Sequence, residues 1–444
     1  MFSLAWRRVG ALDLFPVERG ESRNDLKRTS RGAEVSETET GAAVVIFVLT
    51  YVGLAVGSIP GLRMDRTGIA LVGAVSMLAF GVESVDVMLA AMPGKTMALF
   101  FGMMVIVAQL RASGVLGLGA RSFFAAPLSP RLRLLLFMTL SAGLAAVITN
   151  DLACLSLAPI LAVRARPMGL HPMPFLLGLA MAANIGSAAT IVGNPQIMFI
   201  AQSEALHFAS YALWSLVPVI LSLVAAWGLI LWLASPLTVE DLPVNQHPGE
   251  EPDPAVNWVS AMIGISVTLA VFVLFFTSIP RVVVVLTAAA VLLMNRRITS
   301  RSLLAEVDWS VIILLASLGV VVSGIQATGL PHELVTGIEG AGVNPGNPAV
   351  LVLITAVLSN LVNNIPAVML LVETLSNLSQ EQASLMALAS TFAGNLIVIG
   401  SLANMIALQQ AAENGITISF WQHARIGIPV TCVSLAILTG WSFL

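Results

Sequence analysis

Apolar residues fall into long runs along the chain, with short polar connections between them. The runs 42–60, 211–234, 258–277 and 426–444 each approach or exceed the roughly 20 residues a helix needs to cross hydrocarbon. Spans are expected near 42–60, 67–81, 95–111, 174–204, 207–235, 257–277, 280–295, 309–329, 383–410 and 424–444, about ten in all. Those at 174–204 and 383–410 are interrupted.

Two further apolar stretches, 132–163 and 348–374, carry Thr-Asn-Asp and Asn-Asn-Ile-Pro at their middles. A single helix through lipid leaves such groups unpaired. Each stretch reads instead as a re-entrant hairpin of two half-length helices, with its polar turn at mid-depth. Arg131 and Arg133 precede the first hairpin and Arg164 and Arg166 follow it, which places its ends in the cytoplasm. The second is flanked by Pro345-Gly346-Asn347 and by residues 373–381, without Lys or Arg, so its ends are expected outside. Arg296, Arg297 and Arg301 keep the loop between them inside. The same alternation puts the linker 236–256 inside and both termini outside.

Three landmarks recur in order at an offset of about 210 residues. Residues 102–114 resemble 316–329, Ile148 to Asp151 aligns with Leu361 to Asn364, and Gly193 to Gln196 falls opposite Gly400 to Ala403. With the hairpins opposed, the repeat is inverted, the build of many secondary transporters. The chain then divides into a polar tail 1–41, a first repeat 42–235, the linker 236–256 and a second repeat 257–444.

Composition agrees. Hydrophobic residues make up 57% of 444 and charged residues 10%, against about 25% charged in a soluble domain. The fold class is an all-α polytopic membrane protein, whose expected partner is the lipid bilayer, with no nucleic acid. The net charge of −3 carries no message about partners. The tail matches seven basic with seven acidic residues and has no run long enough to span, so it reads as disordered. Cys154 and Cys432 sit singly in apolar runs, and the five histidines do not cluster. No metal motif, nucleophile–base pair or phosphate loop is present, so neither an enzyme nor a cofactor is expected.

The candidate chemistry lies at the hairpin tips and in the broken helices. Thr149, Asn150 and Asp151 form the first tip; Asn363 and Asn364, followed by Pro366, form the second. The first broken helix carries Asn184, Ser187, Thr190, Gly193, Asn194 and Pro195. The second carries Thr391, Asn395, Gly400, Ser401 and Asn404. Glycines let the backbone unwind and Pro195 removes a donor. Freed carbonyls and amide oxygens are hard ligands for a cation such as sodium, near Asn150, Asp151, Gly193, Asn363 and Gly400. Half-helix N-termini offer N–H groups to an anion. The Gly53-x-x-x-Gly57 pattern reads as close helix packing. Asp151 is the sharpest single residue, because a carboxylate at membrane depth must pair, protonate or bind a cation. It is expected to take part in ion or proton coupling; an N-cap role is the alternative, and the two are compatible. Its aligned counterpart, Asn364, is neutral.

These residues resemble signatures of the ion transporter superfamily, which includes arsenite permeases, citrate-transporter-like proteins, sodium/proton antiporters and divalent anion:sodium symporters. The resemblance rests on residues 149–153, 184–196, 359–367 and 390–404 and covers about 42–444. It implies an inverted-repeat transporter, often a homodimer, working by an elevator-type movement. The dicarboxylate symporters carry Ser-Asn-Thr at both tips, whereas here the tips read Thr-Asn-Asp and Val-Asn-Asn. The Asn-Asp tip and the Gly-Asn-Pro-Gln run look closer to the arsenite and general anion permeases. The expected function is therefore secondary transport of a small anion, metalloid oxyanion or organic acid across a bacterial inner membrane, coupled to sodium or protons. A sodium/proton antiporter is the second reading.

Overall fold

Nearly every expected span becomes a helix, and Asp65, Asn257, Asp308, Ser379 and Ser419 each start one by accepting a backbone N–H on the side chain. The computed structural model describes residues 37–57, 64–118, 123, 127–234, 236–238, 256–294, 298–375 and 378–444. The tail through residue 36, most of the 236–256 linker, and Arg296 and Arg297 lie outside them. The first half runs α1 (Glu37–Val56), α2 (Arg66–Ala79), α3 (Val85–Ala91), α4 (Gly94–Ala112), α5 (Pro130–Ile148), α6 (Asn150–Arg164), α7 (Pro172–Ser187), α8 (Pro195–Ser203) and α9 (Phe208–Leu233). The second runs α10 (Trp258–Leu274), α11 (Arg281–Leu293), α12 (Ser300–Ala305), α13 (Trp309–Ala327), α14 (Leu330–Gly340), α15 (Pro348–Val362), α16 (Asn364–Thr374), α17 (Gln380–Ala393), α18 (Leu402–Glu413) and α19 (Phe420–Trp441). Each of these first-half helices has a counterpart about 210 residues later, in the same order, and the helical residues 115–118 after Gly114 stand opposite the start of α14 after Gly329.

Both hairpins start in the same way. Ser129 caps α5 and Asn347 caps α15, each through its side chain, and a proline at the first helical position follows. Both also end their first arm in the same way, on a non-glycine residue with positive φ. Thr149 has φ 82° and ψ 150°, and Asn363 has φ 81° and ψ 159°. That region is nearly confined to glycine and costs about 1–3 kcal/mol per residue.

The hairpins enter from opposite faces, and α9 shows it. At its C-terminal end the Trp227 indole donates to the Arg131 carbonyl, and the His171 N–H donates to the Leu237 carbonyl just beyond the helix, so the base of the α5–α6 hairpin lies there. At its N-terminal end Gln380 donates to the Glu204 carbonyl and Gln382 to the Gly346 carbonyl, so the base of the α15–α16 hairpin lies at the other. The 26 residues between are about 39 Å of helix. The repeat is inverted.

Gln326, at the end of α13, donates to Thr374 at the base of the second hairpin. The start of α13 therefore lies on the opposite face, together with Glu306 and its ion-pair partner Arg111. Arg111, Arg131, Arg164 and Arg166 thus share one face, which the positive-inside rule makes cytoplasmic.

Among the described residues six helices are long and apolar enough to span: α1, α4, α5, α9, α13 and α19. Large apolar side chains such as Leu49, Leu213 and Val273 stand exposed on the outer helices, where hydrocarbon is their solvent. The chain is an all-α polytopic membrane protein, as its sequence predicts. Two details differ from expectation. The first helix begins at Glu37, inside the segment read as a tail, because Glu37 and Glu39 suit the first turn of a helix. The short helices α3, α12 and α14 are additional, being too short to register as apolar runs.

Candidate substrate and ion site

The broken helices arise where backbone must approach backbone. A Cβ on Gly186 would lie 2.2 Å from the Ala142 Cα, and one on Gly193 would lie 2.0 Å from the Ser187 carbonyl oxygen. Helix α7 ends at Ser187, and α8 restarts at Pro195 with Asn194 as its N-cap, accepting from the Ile197 N–H at 3.0 Å. In the second half α17 ends at Ala393, and Ser401 caps α18 by accepting from the Ala403 N–H at 3.2 Å. The pairing of Asn194 with Ser401 is as the sequence predicts.

At the tips the expected pairing is one residue out of step. The positive-φ residues are Thr149 and Asn363, so Asn150 pairs with Asn364, and Asp151 pairs with Ile365. Residue identity had aligned Asn150 with Asn363, but the backbone turn fixes the register. The acid therefore faces an apolar counterpart, and the asymmetry between the halves is larger than expected.

The first turns of four half-helices, α6, α8, α16 and α18, open onto one small cavity. Asn150, Asp151, Pro195, Asn363, Asn364 and Ser401 line it, together with Gln196, Val311, Ile365 and Leu402. It has room for about one water-sized occupant. Three oxygens there, Asn150 Oδ1, Asp151 Oδ1 and Asn364 Oδ1, are buried without a hydrogen-bond partner. The Ala403 N–H also reaches the Asp151 carboxyl. None of the lining residues is basic.

Behind the cavity lies a ladder of amides. Asn184, buried on α7, accepts from Asn150 Nδ2 and from Ser401 Oγ, both at 2.9 Å. It donates to Asn395 Oδ1 at 2.9 Å and to Asn404 Oδ1 at 3.0 Å. That is the whole capacity of one amide, two acceptor and two donor positions. Its orientation is fixed from below: Asn404 Nδ2 donates to the Gly394 and Ile397 carbonyls, so only its oxygen can face Asn184. Asn150 in turn must point its oxygen toward the cavity. The Asn150 N–H also donates to the Gly193 carbonyl at 3.1 Å, docking the first tip on the first broken helix.

The remaining expected residues brace rather than line. Asn194 Nδ2 donates to Ser187 Oγ at 3.1 Å and to Thr391 Oγ1 at 3.2 Å, crossing between the halves. Thr190 donates to the Ala146 carbonyl on α5. Pro366 offers its carbonyl to the Tyr51 hydroxyl at 3.1 Å, tying the second hairpin to α1. Thr149 supplies the turn, and Gly400 packs beside Asn360 Oδ1. Gln196, Val311, Ile365 and Leu402 are added by the structure. Gln196 and Leu402 were legible as neighbours of Pro195 and Ser401; Val311 comes from a distant helix and carried no signal.

This arrangement has relatives. A profile described as citrate transporter matches residues 44–393. The chain belongs to the citrate transporter family. Membership agrees with the resemblance to the ion transporter superfamily and covers both hairpins and the first broken helix. Among relatives of this family member, a Mycobacterium tuberculosis (strain CDC 1551 / Oshkosh) protein named an uncharacterized transporter is 29% identical, over 89% of this chain and 96% of its own length. The silicon efflux transporter LSI3 of Oryza sativa subsp. japonica is 27% identical over 86% of this chain and 93% of its own. The crystal structure of the Alcanivorax borkumensis YdaH transporter shares the fold, with a TM-score of 0.52, 15% identity, and coverage of 91% of this chain and 97% of that one. This citrate transporter family member is a membrane transporter.

Proposed function

We propose that the protein is a secondary active transporter of a small oxyanion or oxyacid, working by alternating access in a bacterial inner membrane. The convergence of four half-helix N-termini on one mid-membrane cavity carries this reading. Helix N-termini present unpaired N–H groups and a partial positive charge, which favour an anionic or oxygen-rich ligand. The three partnerless oxygens of Asn150, Asp151 and Asn364 add acceptors, which favour a ligand bearing O–H groups or an accompanying cation. A metalloid acid meets both demands, since it has hydroxyl donors and oxygen acceptors on one small centre. Citrate meets them less well, because no basic side chain lines the wall to balance its charge. The rice relative's named cargo, silicon, belongs to the favoured chemical class.

Coupling is assigned to sodium or protons at Asp151, the acid of the lining. Sodium/proton antiport is the second reading. The same partnerless oxygens support it, because they suit a bare cation as well as a hydroxylated acid. Proteoliposomes holding the purified chain, offered silicate, arsenite, citrate and a dicarboxylate with sodium and pH varied, separate the two. Uptake of the small oxyacids is expected. Proton movement driven by sodium alone, with every anion left outside, would establish antiport instead.

A further inference from the structure

The two halves treat the same stretch of broken helix differently. In the first, the Tyr211 hydroxyl donates to the Ala188 carbonyl at 2.9 Å, and the Ser215 hydroxyl donates to the Ala189 carbonyl at 3.1 Å. These carbonyls follow the end of α7 directly, and both donors belong to the opening turns of α9. The unwound segment is thereby fastened to the neighbouring span.

The repeat carries Tyr211 onto His423 and Ser215 onto Gly427, the same positions counted from the starts of α9 and α19. It carries Ala188 and Ala189 onto Asn395 and Leu396, counted back from the caps Asn194 and Ser401. In the second half the fixed donors are gone. A Cβ on Gly427 would lie 2.3 Å from the Asn395 carbonyl oxygen, 2.9 Å from that of Leu396 and 3.1 Å from His423 Cε1. Both carbonyls and the imidazole edge between its two nitrogens therefore crowd one notch. His423 is fully buried, and neither ring nitrogen has a hydrogen-bond partner. No hydrogen bond from the described residues reaches either carbonyl.

The surroundings leave His423 as the group that can respond to protons there. Helix α19 packs on α9, α15, α17 and the turn 398–400. Helix α15 and the turn carry no titratable side chain. Glu381 of α17 is exposed in its first turn, at the other face of the membrane. Tyr211 of α9 is engaged at Ala188, and Arg425 on α19 itself is exposed.

We propose that His423 is a proton-binding site of the transport cycle. Its imidazolium donates to the Asn395 and Leu396 carbonyls, fastening the second broken segment as Tyr211 and Ser215 fasten the first. The proton comes from hydronium at the cytoplasmic face, where α19 begins: an O–H bond of hydronium breaks as the second ring N–H bond forms, and the reverse transfer to water follows when the segment is released. Because the Asn395 side chain accepts from Asn184, fastening the segment also steadies the ladder behind both tips. The inference rests on the transporter reading and deepens it by naming the proton as a coupling ion.

The full chain in nanodiscs, labelled with ring ¹⁵N-histidine, tests it without any substrate. Only five histidines are present, so subtraction of the His423→Gln spectrum identifies the signal. It is expected to pass from neutral to doubly protonated as pH falls while the fold persists; a signal that stays neutral throughout overturns the proposal. In proteoliposomes, wild-type uptake is expected to change by up to about tenfold per pH unit, the limit for one proton. His423→Gln, or His423→Asn where glutamine does not fold, is expected to flatten that profile. A variant that keeps the wild-type profile also overturns the proposal. A wild type that moves no oxyacid defeats the transporter reading instead, and the spectrum still decides the proton site.

Discussion

Asn184 of the first half donates to Asn404 Oδ1 of the second at 3.0 Å, with both side chains fully or almost fully buried. The bond closes a ladder in which Asn184 serves four partners and carries the first hairpin tip on its upper side.

Replacing Asn184 strands those partners. Asn184→Leu leaves the oxygens of Asn395 and Asn404 buried and unpaired, at about 1–3 kcal/mol for each stranded group. Thermal unfolding in detergent is expected to fall by several degrees, with transport lost even below the new midpoint. Unchanged melting would show that the ladder does not bear on stability.

Asp151→Asn keeps the shape of the first tip and removes only its charge. Protein yield and melting are expected to stay near wild type, while the dependence of uptake on sodium disappears, together with any part of its pH dependence that survives in His423→Gln. If uptake and both dependences survived intact, Asp151 would have no part in coupling.

The two positive-φ tips predict a rare gain. Thr149→Gly removes a Cβ from a conformation nearly reserved for glycine, which is expected to stabilise the fold by about 1 kcal/mol, within the cost of such strain. A matched gain is expected at Asn363→Gly, less the loss of its side-chain bond to the Asn364 N–H. Chemical denaturation of the single variants and the double variant measures both; a loss at Thr149→Gly would mean that the hydroxyl matters more than the turn.

Gly186 admits no side chain. In Gly186→Ala the new methyl would meet the Ala142 backbone, so α5 and α7 must separate. Loss of folded protein on size-exclusion chromatography is expected, whereas Gly143→Ala, on the same hairpin and facing open space, is expected to behave as wild type.

Much of this architecture could be read from the chain because a membrane punishes misplaced polarity. Thr149-Asn150-Asp151 and Asn363-Asn364 interrupt apolar runs where a continuous helix has no use for amides, so the hairpins announced themselves. The arginines gave their opposite orientation. What stayed hidden depended on backbone angle or on distance through space. Asn150 and Asn363 look alike as residues, yet the turn falls at Thr149 and Asn363, and the tip alignment moved by one. Tyr211 and His423 occupy the same place in the repeat, but nothing in a phenol and an imidazole marks them as counterparts until both are seen beside the same pair of carbonyls. Val311 reaches the cavity from α13, where one valine among many apolar neighbours carries no mark of its own.

The opposed hairpins have an electrical consequence. Their bases lie at opposite faces and their tips line one cavity between them, so Asp151 sits inside the insulating layer. A full elementary charge crossing the membrane changes energy by about 2.3 kcal/mol per 100 mV, and one held halfway feels about half of that. An ionised Asp151, alone or with a bound cation, thus makes the membrane voltage itself a contributor to the balance between the protein's outward and inward forms.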